Sequence, residues 1–231
     1  MVNNHSCWSH SLKNYVLMFD LLSEELALPI LDVAAGLSSF NSEMTHQGYK
    51  VISCDPLYAT PPDKMKSVAD EIISALTHKV ETHPERFHWG DEFSNFSTLL
   101  HQQRDIAAIF CHDFEKGLEE QRYRMDALPS LSFDDFQFSL ALCANFIFDG
   151  MGADDPEFQI EAIKELCRVG GEARIYPLLN KKGEISPHLG TVIAALQHAD
   201  YGVEIRKVPY EFFKHGDAML RVFSRSCRLE K

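Results

Sequence analysis

The segment from Pro29 to Leu57 constrains the fold more than any other part of the sequence. Two short apolar runs, 30–34 and 49–54, flank a polar stretch whose apolar residues recur at helical spacing. The serine pair Ser38–Ser39 can cap this intervening helix, and Gly48 can end it. Strand, tight turn, helix and strand in this order predict a βαβ unit with parallel strands and a right-handed crossover.

The rest of the chain continues the same alternation. Residues 138–144 form a continuous apolar run, which is typical of a central parallel strand. A helix is predicted from Pro156, capped by Asp154 or Asp155 and ended by the glycines at 170–171. Further strands are predicted at 121–125, 172–177, 203–208 and 219–227, and a further helix at 187–199. The sequence therefore predicts an α/β fold with a doubly wound, mostly parallel, seven-stranded sheet.

Two helical segments stand outside this alternation. Residues 11–28 have apolar positions at helical spacing and predict one amphipathic helix within an N-terminal helical segment, 1–28. Residues 59–117 are mostly helical and longer than a plain crossover needs, so they predict an inserted helical element or an extended crossover. With 231 residues and no composition break, a single domain over 1–231 is predicted.

Composition excludes some classes of function. The net charge of −12 disfavours nucleic acid as a partner, because phosphate-backbone binding needs a surplus of Lys and Arg. The longest apolar run, 138–148, is about half of the roughly 20 residues that span a bilayer, so no membrane segment is expected. The first 13 residues are polar, and no signal peptide is expected there.

The cysteines and histidines predict neither disulfides nor a metal site. The six cysteines are dispersed, without a C-x-x-C pair, and are interpreted as buried thiols of a protein in the reducing cytoplasm. The eleven histidines show no H-E-x-x-H or paired Cys/His spacing, so no metal ligand is predicted.

Small and acidic residues follow four of the predicted strands. Gly36 follows the first strand and lets a ligand approach the backbone, while Asp55 ends the second strand and can accept hydrogen bonds from both hydroxyls of a ribose. Asp126 follows the third strand, where it can meet an adenine edge, and Asn145 follows the fourth. Ligands of an open parallel sheet bind at the carboxyl ends of its strands, so one shared site is expected there.

These motifs resemble the class I S-adenosylmethionine-dependent methyltransferases. Residues 32–38 match the family's first motif, with Ala34 and Gly36 in its small-residue positions, and Asp55 matches its ribose acid. The resemblance covers about 15–227 and implies a Rossmann-like methyltransferase fold with S-adenosylmethionine as cofactor and S-adenosylhomocysteine as product. The contacts it predicts are Tyr15, Phe19, Asp32, Ala34, Ala35, Gly36, Ser38, Asp55, Pro56, Asp126, Ala127, Cys143, Ala144, Asn145 and Phe146.

The identity of the methyl acceptor is the weaker part of the prediction. More narrowly, the runs around Tyr15, Leu142, Glu165 and Tyr210 are similar to an uncharacterised bacterial methyltransferase group. Relatives that methylate exocyclic amines or glutamine carry Asn/Asp-Pro-Pro-Tyr/Phe at the fourth strand end, and the run 144–147 lacks both prolines. A small-molecule acceptor is therefore favoured.

No residue is marked as a general base. Asn145 and Asp149, just beyond the fourth strand, are the candidates for contact with the acceptor. Methyl transfer needs mainly positioning, so few catalytic residues are expected.

Each residue also has a plainer interpretation. Gly36 can simply end a strand, Asp55 can begin a turn, and Tyr15 and Phe19 form the apolar face of a helix. Two other classes of function stay open. A non-catalytic cofactor-binding or regulatory module would keep the same residues. An NAD(P)-dependent oxidoreductase would need G-x-G-x-x-G after the first strand, of which only Gly36 is present.

Overall fold

The structure is a computed structural model that describes residues 8–90, 93–149 and 154–224. Within these ranges seven strands form one sheet in the order β3-β2-β1-β4-β5-β7-β6. The strands are β1 Ile30–Val33, β2 Val51–Cys54, β3 Tyr123–Arg124, β4 Leu140–Ala144, β5 Glu172–Tyr176, β6 Tyr201–Lys207 and β7 Ala218–Ser224. The seven-stranded, doubly wound sheet predicted from the sequence is confirmed.

The sheet is parallel except for its β7 strand. Strand β1 pairs in parallel with β2 on one side and with β4 on the other, with Ile30 opposite both Val51 and Leu140. Strand β7 runs antiparallel to both β5 and β6. Strands β1 and β4 are buried along their whole length, which explains why both are apolar runs. Between them the strand order reverses, and open α/β sheets bind ligands at such a point.

The helices cover both faces of the sheet. They are α1 Leu12–Met18, α2 Ser23–Leu26, α3 Phe40–His46, α4 Pro62–Thr82, α5 Phe96–Glu119, α6 Pro156–Gly170 and α7 Leu189–His198. Leu31 and Val33 of β1 belong to the core cluster that includes α6 and α7, whereas Ile30 belongs to the cluster that includes α1 and α3. Successive side chains of β1 therefore supply two separate cores.

Helix α6 has the predicted ends. The Asp155 side chain caps it by accepting a hydrogen bond of 3.0 Å from the amide of Phe158, and Pro156 occupies the first turn. Gly171 ends it with a φ of 65°, a left-handed conformation that favours glycine. Residues 59–117 contain the predicted helices, which are the long α4 and α5. That the whole chain is a single domain stays a prediction.

The single helix predicted over 11–28 is wrong. Helix α1 ends at Met18, and α2 begins only at Ser23. The break coincides with Asp20, which has a φ of 48°. The buried guanidinium of Arg174 donates hydrogen bonds to the carbonyl oxygens of Phe19, at 2.8 Å, and Asp20, at 3.3 Å. These carbonyls are thus satisfied by a residue of β5 instead of by a continuing helix.

Two smaller predictions also need correction. Ser39 stands at the N-cap of α3, but its hydroxyl donates to Glu43 and caps no backbone amide, while the Ser38 hydroxyl bonds to His10. The last strand is described to Ser224, so its predicted end at 227 lies outside the described residues, as do Cys7 and Cys227.

Close packing between α6 and the sheet supplies a stability test. A Cβ on Gly170 would lie 2.8 Å from both the Cβ and the backbone nitrogen of Ala141. We expect Gly170→Ala to lower the free energy of unfolding by about 2 kcal/mol, because β4 cannot yield without disturbing the sheet. Urea denaturation measures the change.

Gly190→Ala is the matched control, since nothing lies within 4 Å of its added Cβ. It should leave the free energy of unfolding unchanged or raise it by up to about 1 kcal/mol. Equal effects of the two substitutions would contradict this account.

Candidate functional site

Asp32 is a fully buried acid in the middle of β1. Its Oδ1 accepts a hydrogen bond of 2.8 Å from the Tyr15 hydroxyl, and its Oδ2 accepts one of 3.1 Å from the Ser53 hydroxyl. The carboxyl group thereby connects helix α1, strand β1 and strand β2 in the interior. Burial raises the pKa of Asp32 from its ordinary value of 3.8 to about 7, although the two hydrogen bonds act to lower it.

The turn after β1 is fixed by Asp55 at the end of β2. The Asp55 carboxylate accepts hydrogen bonds from the amide of Gly36, at 3.0 Å, and from the amide of Leu57, at 2.8 Å. The Tyr58 hydroxyl donates to the Gly36 carbonyl at 3.0 Å. Gly36 and Ala34 both have left-handed backbone conformations, with φ of 55° and 58°. The turn is therefore held by side chains of the second strand end and not by its own sequence alone.

One cavity opens where these strand ends meet. Six of the predicted contact residues lie on its wall, together with Val33 and Leu128; the six are Ala34, Asp55, Pro56, Asp126, Ala127 and Phe146. We call this space the strand-end cavity. It combines two carboxylates with apolar walls. The structure thus brings together residues from the ends of β1, β2 and β4 and from the loop after β3, whereas Gly36 and Asn145, which the sequence predicts at the same site, do not line this cavity.

Asp126 already has partners within its own loop. Its Oδ1 accepts a hydrogen bond of 3.1 Å from the Ser132 amide, and its Oδ2 accepts one of 2.8 Å from the Ser132 hydroxyl. Arg124 approaches the same carboxylate to 3.9 Å. The carboxylate is thereby held in one orientation at the cavity wall.

Other predicted contacts lie in the core instead of on this wall. The Tyr15 ring stacks on Phe40 at a centroid distance of 4.2 Å, and Phe19 is fully buried between Tyr15 and Tyr176. Cys143 is fully buried in β4, and burial raises the pKa of its thiol. Asp32, Ala35, Ser38 and Ala144 are buried too and do not line the strand-end cavity. For Tyr15 and Phe19 the structure favours the plainer interpretation, the apolar face of a helix.

Asn145 occupies a strained position directly after β4. Its φ is 51°, and its amide nitrogen donates to the Tyr176 carbonyl at 2.7 Å. Its side-chain amide donates to Nε2 of His10, also at 2.7 Å. A non-glycine residue in the left-handed region is uncommon and concentrates at functional sites. The side chain is therefore held in one orientation by the N-terminal segment.

His10 is the site residue that sequence reasoning missed. It is fully buried, and its ring lies 6.3 Å from that of Tyr15 and 6.2 Å from that of Tyr210. Burial lowers the pKa of His10 to about 3, so the imidazole is neutral at physiological pH. Its Nδ1 has no hydrogen-bond partner in the described structure. His10 and Asn145 are separated by 135 positions, and no local spacing could have paired them.

The segment around His10 covers the carboxyl ends of the strands. Ser9 exchanges two hydrogen bonds of 2.8 Å with the Gln103 side chain of α5. Trp8 packs edge-on against Phe212 at a centroid distance of 4.4 Å and against Phe87 at 5.5 Å. Residues 8–10 are therefore anchored both to α5 and to the aromatic cluster of Phe87 and Phe212.

A second cavity lies against this segment and has Trp8 on its wall. Asn145 and Asp149, the two candidates for acceptor contact, line it together with Trp8, Phe87, Phe213, Pro177, Leu179, Asn180, Gly183 and the basic residues Lys79, His83, Arg86 and Lys181. We call it the Trp8 cavity. Phe146 lines the strand-end cavity, so consecutive residues after β4 contribute to the two cavities.

Neither a metal cluster nor a membrane span is found. Across 8–90, 93–149 and 154–224, no group of three or more His, Cys, Asp or Glu side chains could hold a metal ion. In the same ranges, no helix has the length and apolar character needed to cross a membrane.

The strand order, with β7 antiparallel between β5 and β6, is that of the Rossmann-like methyltransferase fold. No protein-family model matches the chain. An uncharacterized protein of Methanocaldococcus jannaschii is 29% identical over 211 residues, which cover 91% of this chain and 92% of that protein. Since that relative is archaeal, the bacterial group predicted from the sequence stays a prediction.

Solved structures of methyltransferases are also similar. A SAM-dependent methyltransferase from Methanosarcina mazei has 14% identity and a TM-score of 0.44, covering 89% of this chain and 95% of that one. An O-methyltransferase from neocarzinostatin biosynthesis, solved with S-adenosyl-L-homocysteine and 1,4-dihydroxy-2-naphthoic acid, has 10% identity and a TM-score of 0.49. That match covers 92% of this chain and 54% of the other.

The buried Asp32 gives a prediction about pH. Its pKa is higher in the folded chain than in the unfolded one, so between about pH 4 and 7 the folded state binds more protons. The protonated group therefore stabilises the fold fully below about pH 4, and this contribution is lost as the pH rises through about 7. Relative to Asp32→Asn, the free energy of unfolding of the unsubstituted chain should fall by roughly 2 to 4 kcal/mol over that range.

Urea denaturation at several pH values measures this difference. Asn keeps an oxygen for Tyr15 and offers an amide to Ser53, so the variant should fold. Asp105→Asn, at an exposed position of α5, is the control and should show no such trend. If the difference in the free energy of unfolding between the original chain and Asp32→Asn does not change with pH, the prediction is contradicted, and Asp32 is ionised in the folded state.

Proposed function

We propose that this chain is a methyltransferase that binds S-adenosylmethionine in the strand-end cavity and methylates a small-molecule acceptor. The observation that carries the proposal is the convergence of Ala34, Asp55 and Asp126 on one cavity at the point where the strand order reverses. Three separate strand ends supply the groups that a nucleoside needs. A cytoplasmic location is part of the proposal, supported by the free thiols of Cys54, Cys111, Cys143 and Cys167.

The chemistry of the wall fits an adenosine. The Asp55 carboxylate lies on this wall, and a carboxylate oxygen is the kind of acceptor to which ribose hydroxyls donate. It can therefore accept from ribose hydroxyls. Pro56 and Phe146 provide apolar surface for a base, and the Asp126 carboxylate can accept from an exocyclic amine. Gly36 does not line this wall, and its amide and carbonyl are already hydrogen-bonded to Asp55 and Tyr58, so its role is to shape the turn that presents Asp55.

A dinucleotide fits the same turn poorly. A pyrophosphate needs unpaired amides at the helix start, yet the Gly36 amide already donates to Asp55. Glu43 lies in the first turn of α3 and accepts from the Leu12 amide at 3.1 Å. Its negative charge would repel a phosphate. These two contacts favour a methyltransferase over an NAD(P)-dependent oxidoreductase.

The chain's own role in the reaction is to position groups and exclude water. S-adenosylmethionine, when bound, supplies a methyl group that is already activated by its sulfonium. Asn145, which lines the Trp8 cavity, is held by His10, and it can donate or accept a hydrogen bond at the acceptor. The neutral His10 imidazole keeps this position free of charge. The anchored segment 8–10 covers the reaction site, which suits a transfer that water must not intercept.

The first test is cofactor binding. Isothermal titration calorimetry with S-adenosylhomocysteine should show binding, and Asp55→Ala should weaken it by at least about tenfold, because two charge-assisted hydrogen bonds to the ribose are lost. Asp105→Ala, which removes an exposed acid far along α5, should leave the affinity unchanged. Urea denaturation of both variants verifies that they are folded. Tighter binding of NADH than of S-adenosylhomocysteine would refute the proposal.

A second test separates an enzyme from a binding module. Incubation of the protein with methyl-labelled S-adenosylmethionine and a cell extract should transfer label to the small-molecule fraction. Heat-inactivated protein serves as the control. Tight cofactor binding without transfer to small molecules, protein or RNA would instead support a non-catalytic or regulatory module.

A further inference from the structure

The Trp8 cavity concentrates positive charge on a strongly acidic protein. Lys79, Arg86 and Lys181 all line it, whereas the net charge of the chain is −12. The three cations come from separate elements: the end of α4, the 3₁₀ turn at Pro84–Arg86 and the loop after β5. A surface ion-pair network does not explain this arrangement, because acids are scarce on the same wall. Asp149 is the one carboxylate among the lining residues of this cavity that the structure describes.

The local partners leave part of this charge uncompensated. Arg86 donates to the Lys181 carbonyl at 3.3 Å and lies 3.9 Å from the carboxylate of Glu85, which is itself well exposed. The Lys79 ammonium lies 5.8 Å from the centroid of the Trp8 ring, within reach of a cation–π interaction. Within the described ranges no carboxylate forms a salt bridge with Lys79 or Lys181.

Aromatic rings form the apolar wall of the same cavity. Trp8 meets Phe87 at a centroid distance of 5.5 Å and Phe213 at 5.3 Å, and all three side chains line the space. Pro177 and Leu179 extend this surface. Flat apolar walls with a few directed polar groups are the usual construction of a small-molecule site. The combination favours a ligand with a planar apolar body and a negative charge.

We propose that the Trp8 cavity is the acceptor site and that the acceptor is a small aromatic carboxylic acid. Its ring packs against Trp8 and Phe213, and its carboxylate is bound by Arg86 and Lys181. Binding of the acid to this cavity is independent of the proposed function, but its methylation rests on that function. The two cavities are adjacent in the chain, because Asn145 lines this one and the next residue, Phe146, lines the strand-end cavity. The charge of the cavity thus favours the acid over neutral and cationic analogues.

Two probes of the same shape test the role of charge. Indole-3-carboxylate and indole-3-carboxamide are titrated by calorimetry into the full chain, with and without S-adenosylhomocysteine. The acid should bind at least about tenfold more tightly than the amide, because only the acid forms charge-assisted hydrogen bonds with the cations. The difference should shrink as salt is added, since part of the attraction is screened.

A pair of neighbouring lysines supplies the matched control. Lys181→Met should weaken binding of the acid about tenfold and leave the amide unaffected. Lys182→Met removes the same charge one position further along, from an exposed residue that does not line the cavity, and should change neither affinity. Both substitutions lie in an exposed loop, so both variants should fold.

Several results would overturn the inference. Equal affinities for acid and amide, an unchanged affinity in Lys181→Met, or no binding of the acid at up to about 5 mM would each do so. The S-adenosylhomocysteine titration in the same samples reports separately on the proposed function. Loss of cofactor binding would count against that function, whereas failure of the acid alone would count only against the acceptor class.

Discussion

The burial of one carboxyl group in the middle of β1 is the constraint on which the rest of the structure depends. Asp32 has no access to solvent, so its polar atoms must find partners inside the protein. Tyr15 and Ser53 provide them, and these two bonds fix α1 against one face of the central strand and β2 beside it. Since α1 is preceded directly by residues 8–10, the same interaction also places the segment that covers the strand ends. The buried Asp32 therefore contributes both to the stability of the fold and to the geometry of the site.

The carboxyl edge of the sheet carries two cavities of different character. The strand-end cavity is walled by two acids and by apolar side chains, whereas the Trp8 cavity is aromatic and basic. The two proposed ligands match this division, with a nucleoside cofactor in the first cavity and an anionic acceptor in the second. Asn145 and Phe146, consecutive in the chain, belong one to each cavity. The strained backbone of Asn145 and its bond to His10 keep that boundary in place.

Much of the fold could be predicted because its signals are local. The apolar runs of β1 and β4, the Asp155 cap of α6 and the left-handed Gly171 follow from residue types at short spacing. The prediction of one helix over 11–28 failed because the Phe19 and Asp20 carbonyls bond to Arg174, which is more than 150 positions away. The serine cap of α3 failed for a similar reason, because Glu43 and His10 compete for the two hydroxyls. Tertiary partners outweighed local preference in both cases.

The sequence by itself determined which segments form strands and which acids and small residues follow them. It could do so because strand periodicity and turn chemistry act over a few residues. It could therefore indicate Ala34, Asp55 and Asp126 as one site before their positions were known. Only the tertiary structure decided that Tyr15 and Phe19 belong to the core, that His10 holds Asn145, and that three cations from separate elements surround one aromatic cavity. These are contacts between distant positions, and no local pattern records which surfaces meet when the chain packs.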